Sequence, residues 1–302
     1  MVGAATVLAV GEVLEALRGV RWPAERPVTG GSAGTHRART RGTSVEFAEY
    51  RGYRQGDDVR RLDWKLLART DRAYVRLTED HALLPTTVVV DASASMAFPD
   101  PSHAKWVHAA QIAVGLAAVA HATGDSVGLR ITSGRTLPPR MRRGVVGDIA
   151  RALTDTTPDG TLALAPLLAD LRGRVAIVSD FLGDADAIVS LARAAQAQGG
   201  AVYAVHVVDS WELDPPRRSA LVADPEVPLV RRPLGPATRS AYQANFARWR
   251  TALADDWRGA GAQYTLTVSG SGGETPARAV RRIVSGSLDR GNAVPMAGSS
   301  GP

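Results

Sequence analysis

The chain has 302 residues, 45% of them hydrophobic and none of them cysteine. It can therefore bury one sizeable core, but it has neither a disulfide framework nor a thiolate metal site. Lys and Arg number 36 against 30 Asp and Glu, a net charge of +6, yet the signs are mixed along runs such as Arg51, Arg54, Asp57, Asp58, Arg60, Arg61 and Asp63, which argues against nucleic-acid binding.

Residues 1–85 are expected to form an amino-terminal extension. It holds a helix near Val10 to Arg18, a Gly- and Arg-rich arm from Gly30 to Gly42, a strand from Ser44 to Tyr50, a helix from Val59 to Arg69 and a strand from Ala73 to Thr78. Met1 to Val20 carries Glu12 and Glu15 and lacks a basic start before a clean apolar run, so no secretory signal is expected.

Residues 86–285 read as a doubly wound α/β domain with a mainly parallel sheet. Val-, Ile- and Leu-rich runs at Thr86 to Asp91, Ser126 to Thr132, Arg174 to Ser179, Ala201 to Val207 and Gln263 to Val268 alternate with helical patterns. Those helices are Ser102 to Ala122, Val145 to Thr154, Thr161 to Leu171, Asp184 to Gln198 and Ala237 to Arg258. Trp106 to Ala122 is interrupted by His108, Gln111 and His121, so no stable membrane insertion is expected and the expected location is cytoplasmic. Between about 209 and 235 the chain turns Pro-rich, with strand-like pieces Ser219 to Ala223 and Val227 to Arg231 split by Asp224-Pro225, and reads as an inserted hairpin. The tail 286–302 is small and polar and is expected to be disordered.

The strand Val88-Val89-Val90 runs into Asp91-Ala92-Ser93-Ala94-Ser95. A carboxylate and two hydroxyls then stand at the carboxyl end of a parallel strand, where open α/β sheets bind ligands. Hard oxygen donors of this kind suit Mg²⁺, which keeps several waters. The Asp91-x-Ser93-x-Ser95 pattern resembles the metal-ion-dependent adhesion site of von Willebrand factor A domains. Asp159-Gly160-Thr161 is similar to that family's Gly-Thr loop, and Ser179-Asp180 matches the position of its second carboxylate. The resemblance implies a magnesium site, which Mn²⁺ or Ca²⁺ could also fill. Ser93 and Ser95 would coordinate directly, Thr161 conditionally, and Asp91 and Asp180 largely through water, with an acidic residue of a partner completing the shell.

Other chemistries fit less well. A haloacid-dehalogenase-like phosphatase needs a second Asp where Ser93 stands, neither Ser93 nor Ser95 has the glycines of a hydrolase elbow, and no Gly-Lys-Ser/Thr phosphate loop occurs. A metal-dependent phosphohydrolase at the same strand end remains the alternative to a non-enzymatic binding module. The histidines His36, His81, His103, His108, His121 and His206 lack ligand spacing and read as structural, and Trp64, Trp249 and Trp257 read as core.

Before the sheet, His36-Arg37-Ala38-Arg39, Glu46-Phe47, Tyr50-Arg51, Gly56-Asp57-Asp58-x-Arg60, Asp63-Trp64-Lys65 and Ala68-Arg69 form a dense charged box. The box reads either as an ion-pair network or as a docking surface. Together with the site motif it resembles domain-of-unknown-function family fifty-eight, whose members join such a box to a von Willebrand factor A domain. That resemblance implies a MoxR-type AAA+ ATPase partner, an unknown client protein, and an adaptor or co-chaperone role in the maturation of protein complexes.

Overall fold

A computed structural model describes residues 8–23, 33–37, 47–53, 62–78, 81–82, 85–161, 164–168, 171–183, 185–197, 199–217, 220–223 and 229–291. The chain divides into two compact units: Met1–Glu25 together with Pro85–Pro302, and Arg26–Leu84. The expected boundary at residue 85 therefore misses one feature, since the first helix, α1 (Val10–Ala16), belongs with the sheet that follows.

In the Arg26–Leu84 unit, β1 (Ala33–Arg37) pairs antiparallel with the short strand His81–Ala82, and β2 (Phe47–Gly52) with Tyr74–Thr78. Helix α2 (Trp64–Thr70) lies between, and the strands that follow it are β3 (Tyr74–Thr78) and β4 (His81–Ala82). Helix α2 starts later than expected because Asp63 is its cap, accepting from the Lys65 and Leu66 amides at 3.1 and 3.0 Å. Trp64 is 63% exposed, which corrects its expected place in a core. Gly56, Asp57, Asp58 and Arg60 of the charged box lie outside the described residues.

The larger unit is built on β5 (Pro85–Val90), β6 (Ser126–Ile131), β7 (Thr136–Arg140), β8 (Arg174–Ser179), β9 (Ala201–Asp209) and, late in the chain, a strand at Gln263–Ser269. Between and after them come α3 (Ala104–Thr123), α4 (Val145–Thr154), α5 (Ala165–Leu168), α6 (Ala185–Ala197) and α7 (Ser210–Leu213). The hairpin β10 (Ala220–Ala223) and β11 (Arg231–Leu234), then α8 (Pro236–Gly259), β12 (Gln263–Ser269) and α9 (Pro276–Gly291), complete it. The sheet order is β12-β9-β8-β5-β6-β7, parallel except for β7. This is the expected mainly parallel α/β sheet.

Alternation along each strand sends side chains to both faces. Val88 and Val90 join a core cluster with α1, α3, α4 and α9, whereas Val89 joins a second with α5, α6 and α8. Strand β7 was not expected, since Pro138 and Pro139 argue against a strand; they are tolerated because β7 is at the sheet edge. Helix α9 runs to Gly291, past the expected start of the tail at 286, and residues 292–302 lie outside the described residues. The hairpin forms, with its second strand at Arg231–Leu234 rather than Val227 to Arg231. By length and composition α3 could cross a membrane, but 67% of it is buried within the protein, as a central core helix would be.

The amino ends of β5 and β8 converge on Arg174. Its Nη1 donates to Asp125 Oδ2 at 2.7 Å and Thr86 Oγ1 at 3.4 Å, and its Nη2 donates to the carbonyls of Trp22 and Pro23 at 2.8 and 2.9 Å. The guanidinium also lies 4.3 Å from the Trp22 ring centroid, which ties residues 8–23 to this unit.

Candidate functional site

The carboxyl ends of β5 and β8 form the rim that the sequence singles out. Asp91 extends β5, its amide donating to the Val178 carbonyl at 2.9 Å. Its Oδ1 accepts from the Ser93 amide at 2.8 Å and closes a tight turn, while its Oδ2 accepts from Ser179 Oγ at 2.7 Å. A single 3₁₀ turn, Ala94–Ala97, then brings Ser95 Oγ within 3.0 Å of Ser93 Oγ. Asp91, Ser93, Ser95 and Asp180 are all buried.

The next loop is laced to this turn by its backbone. The Asp159 amide donates to the Ala92 carbonyl at 2.8 Å, and the Ala94 amide donates to the Gly160 carbonyl at 2.9 Å. Gly160 adopts φ +77°, a left-handed conformation that a side chain would strain. Thr161 follows directly, so its loop adjoins the 91–95 turn, but its side chain is exposed and makes no hydrogen bond among the described residues.

Asp180 is held from both sides. Its Oδ1 accepts from the Leu182 amide at 3.1 Å, and its Oδ2 lies 2.7 Å from Lys105 Nζ in an ion pair but accepts no well-aligned hydrogen bond. Phe181 has φ 54° and is fully buried, its ring 5.1 Å from Trp257 and 5.7 Å from His206. Packing thus over-determines a backbone conformation that costs about 1–3 kcal/mol, and so fixes the direction of the neighbouring carboxylate.

Three residues that sequence reasoning missed complete the rim. The Ser179 hydroxyl donates to Asp91 and accepts from the Phe181 amide at 2.8 Å. Lys105, fully buried at the start of α3, also pairs with Glu212 Oε1 at 2.8 Å. Glu212 in turn belongs to the capping box of α7 with Asp209. Two had a signal: Lys105 is the sole Lys, Arg, Asp or Glu in a mostly apolar helix, and Asp209-x-x-Glu212 is a capping pattern.

The electrostatics are lopsided. Burial, and then the neighbouring Asp180, push the Asp91 carboxyl up to about 6, against hydrogen bonds from Ser179 and Ser93 that favour its charge. Burial also lifts Glu212, with Lys105 pulling the other way. Burial alone would lower the Lys105 ammonium, but Asp180 and Glu212 outweigh it and hold it above its ordinary value. Asp180 and Glu212 therefore share one ammonium while Asp91 stands beside Asp180, and a surplus of carboxylate remains. Among the described residues no three His, Asp or Glu side chains group as metal ligands. What the rim offers instead is two carboxylates with the Ser93 and Ser95 hydroxyls, a donor set that suits a hard, partly hydrated cation.

The histidines near the sheet are structural. Burial pushes His206 down to about 3 and His108 down to about 4, and each ring is paired with a hydroxyl: Nδ1 of His206 with Tyr264 Oη at 2.6 Å, and Nε2 of His108 with Thr267 Oγ1 at 2.7 Å.

Residues 49–252 match the family described as protein of unknown function DUF58. Uncharacterised proteins of Mycobacterium bovis and Mycobacterium tuberculosis are 30% identical over 261 residues, covering 82% of each chain. Among solved structures, the conserved hypothetical protein BatB of Bacteroides thetaiotaomicron aligns with a TM-score of 0.42 at 15% identity, over 68% of this chain and 99% of that one. An aerotolerance-related membrane protein of Bacteroides fragilis aligns with a TM-score of 0.41 at 13% identity, over 68% and 99%. By the extent of the sequence match, the chain belongs to the DUF58 family of proteins of unknown function.

Proposed function

We propose that the larger unit is a von Willebrand factor A-type module that binds a protein partner through Mg²⁺, and that the chain serves as a cytoplasmic, non-enzymatic adaptor or co-chaperone. The observation that carries this reading is the buried surplus of carboxylate at the carboxyl rim, where Asp91 and Asp180 stand with Ser93 and Ser95 and a single ammonium. A divalent cation would relieve that surplus, and burial of a like-charge pair without one is costly.

In this reading Ser93 and Ser95 hold the ion directly, Thr161 joins when the partner is bound, and Asp91 and Asp180 act largely through its waters. The cation supplies a charge that attracts an acidic residue of the partner. Ser179 orients Asp91, and Lys105 neutralises one arm of Asp180. The MoxR-type AAA+ ATPase and its client are supported by the family resemblance.

Isothermal titration with MgCl₂ tests the site. Wild type should bind and Asp91→Ala should not; equal heats from both would remove the metal. Recovery of the ATPase with the intact protein in magnesium but not in chelator would then establish the partner.

A further inference from the structure

Lys105 stands in the first turn of α3, its amide donating to the Phe98 carbonyl at 3.2 Å and its side chain fully buried. Burial disfavours an ammonium in that place, and so does the positive end of the helix dipole. Its carboxylate neighbours must compensate, and they do so by different means. Nζ donates a hydrogen bond to Glu212 Oε1 at 2.8 Å, whereas its 2.7 Å approach to Asp180 Oδ2 lacks hydrogen-bond alignment. Glu212 thus supplies a charge-assisted hydrogen bond, and Asp180 supplies proximity of charge.

The Glu212 end is anchored. Its Oε2 accepts from the Asp209 amide at 2.7 Å in the capping box of α7, and its backbone carbonyl accepts from Tyr242 Oη at 3.0 Å. At the other end, Asp180 Oδ1 takes the Leu182 amide at 3.1 Å, which leaves Oδ2 to the ammonium. A cation arriving beside Ser93 and Ser95 therefore competes with Lys105 for Asp180, not for Glu212.

We propose that Lys105 is a positioning residue that sets the affinity of the rim for a divalent cation. It is the tethered counter-ion of Asp180 while no metal is bound, and it stays on Glu212 once the ion takes that carboxylate. The proposal rests on the magnesium reading above, which does not itself require it. Lys105 opposes the metal, and Glu212 moderates that opposition by drawing the ammonium towards α7. Replacing Lys105 by a neutral side chain should tighten the ion. Neutralising Glu212, which leaves the ammonium to Asp180 alone, should loosen it.

Isothermal titration of the full chain with MgCl₂ tests this in wild type, Lys105→Met, Glu212→Gln and the double variant. Lys105→Met should bind Mg²⁺ about tenfold or more tightly than wild type, the scale of removing one buried unit charge beside a ligand. Glu212→Gln should bind it about threefold more weakly. Should Lys105→Met fail to fold with Asp180 and Glu212 unpaired, the double variant carries the same comparison against Glu212→Gln and should be tighter by a similar factor. A role confined to holding the fold gives another pattern, in which both variants lose affinity or neither changes. Either result would overturn the proposal and leave the magnesium site standing. No heat from wild type or from any variant would remove the magnesium site and this role together.

Discussion

At the amino ends of β5 and β8, Arg174 and Asp125 are buried as a matched pair, and the guanidinium also bonds to a hydroxyl and to two backbone carbonyls. At the carboxyl ends of the same strands, Asp180 shares Lys105 with Glu212 of α7, and Asp91 beside Asp180 is pushed towards its neutral form. Both clusters are largely buried, though Glu212 is partly exposed. The first is balanced in charge and dense in hydrogen bonds, which is how a buried ion pair avoids being a net loss. The second joins α3, α7 and the end of β8 through Lys105 but keeps more carboxylates than cations. The contrast separates charge balanced by its own neighbours from charge left in surplus.

Removing one partner from the balanced end should have the largest effect. Arg174→Ala strands Asp125 in the interior and should cost about 3–5 kcal/mol in urea unfolding, while the rise in unfolding temperature on adding Mg²⁺ persists. If that response disappeared as well, the two ends would be coupled and the contrast would fail.

The unbalanced end should behave in the opposite sense. Because the folded-state carboxyl of Asp91 is raised from 3.8 to about 6, the native protein holds a proton that the unfolded chain releases. Its contribution to stability is present below about pH 4 and is lost as pH rises through about 6, a change on the order of 3 kcal/mol. In EDTA at pH 7.5, Asp91→Asn should therefore be more stable than wild type, with the gap closing on acidification. His108 and His206, held neutral by burial, act with the opposite sign: their contribution is full above about pH 6.5 and falls as acid charges them. The difference between wild type and Asp91→Asn cancels them. Wild type as stable as Asp91→Asn across pH 4 to 7.5 would show that no surplus charge exists at the rim.

Thr161→Ala should have the smallest effect on the fold. The side chain is exposed and makes no hydrogen bond among the described residues, so stability should stay within about 0.5 kcal/mol of wild type, while the magnesium affinity measured by titration falls. Unchanged affinity would strike Thr161 from the ligand set.

The strands that carry the site were legible because buried parallel strands need continuous Val and Ile runs, as in Val88-Val89-Val90 and Val175 to Val178. So was the rim turn, since Asp91 and Ser93 bond locally within one short segment. Contacts that depend on tertiary assembly were harder to read. No periodicity announces that Lys105 and Glu212, 107 positions apart, share an ion pair. Nor does local propensity predict that Pro138 and Pro139 sit in a strand, because only its place at the edge of the sheet excuses the missing amide donors. Trp64 shows the reverse error: its apolar character suggested a core, but the cap at Asp63 leaves it facing water.

The Arg174 guanidinium donates both to the carbonyl of Pro23 and to the hydroxyl of Thr86. The chain thus departs from the sheet-bearing unit and rejoins it beside a single side chain, with the whole Arg26–Leu84 stretch strung between. In chain order that stretch is an insertion in a host unit whose two flanking edges already meet. Hosts of this geometry tolerate having such a passenger lengthened, exchanged or excised, because a few linking residues suffice to close the gap.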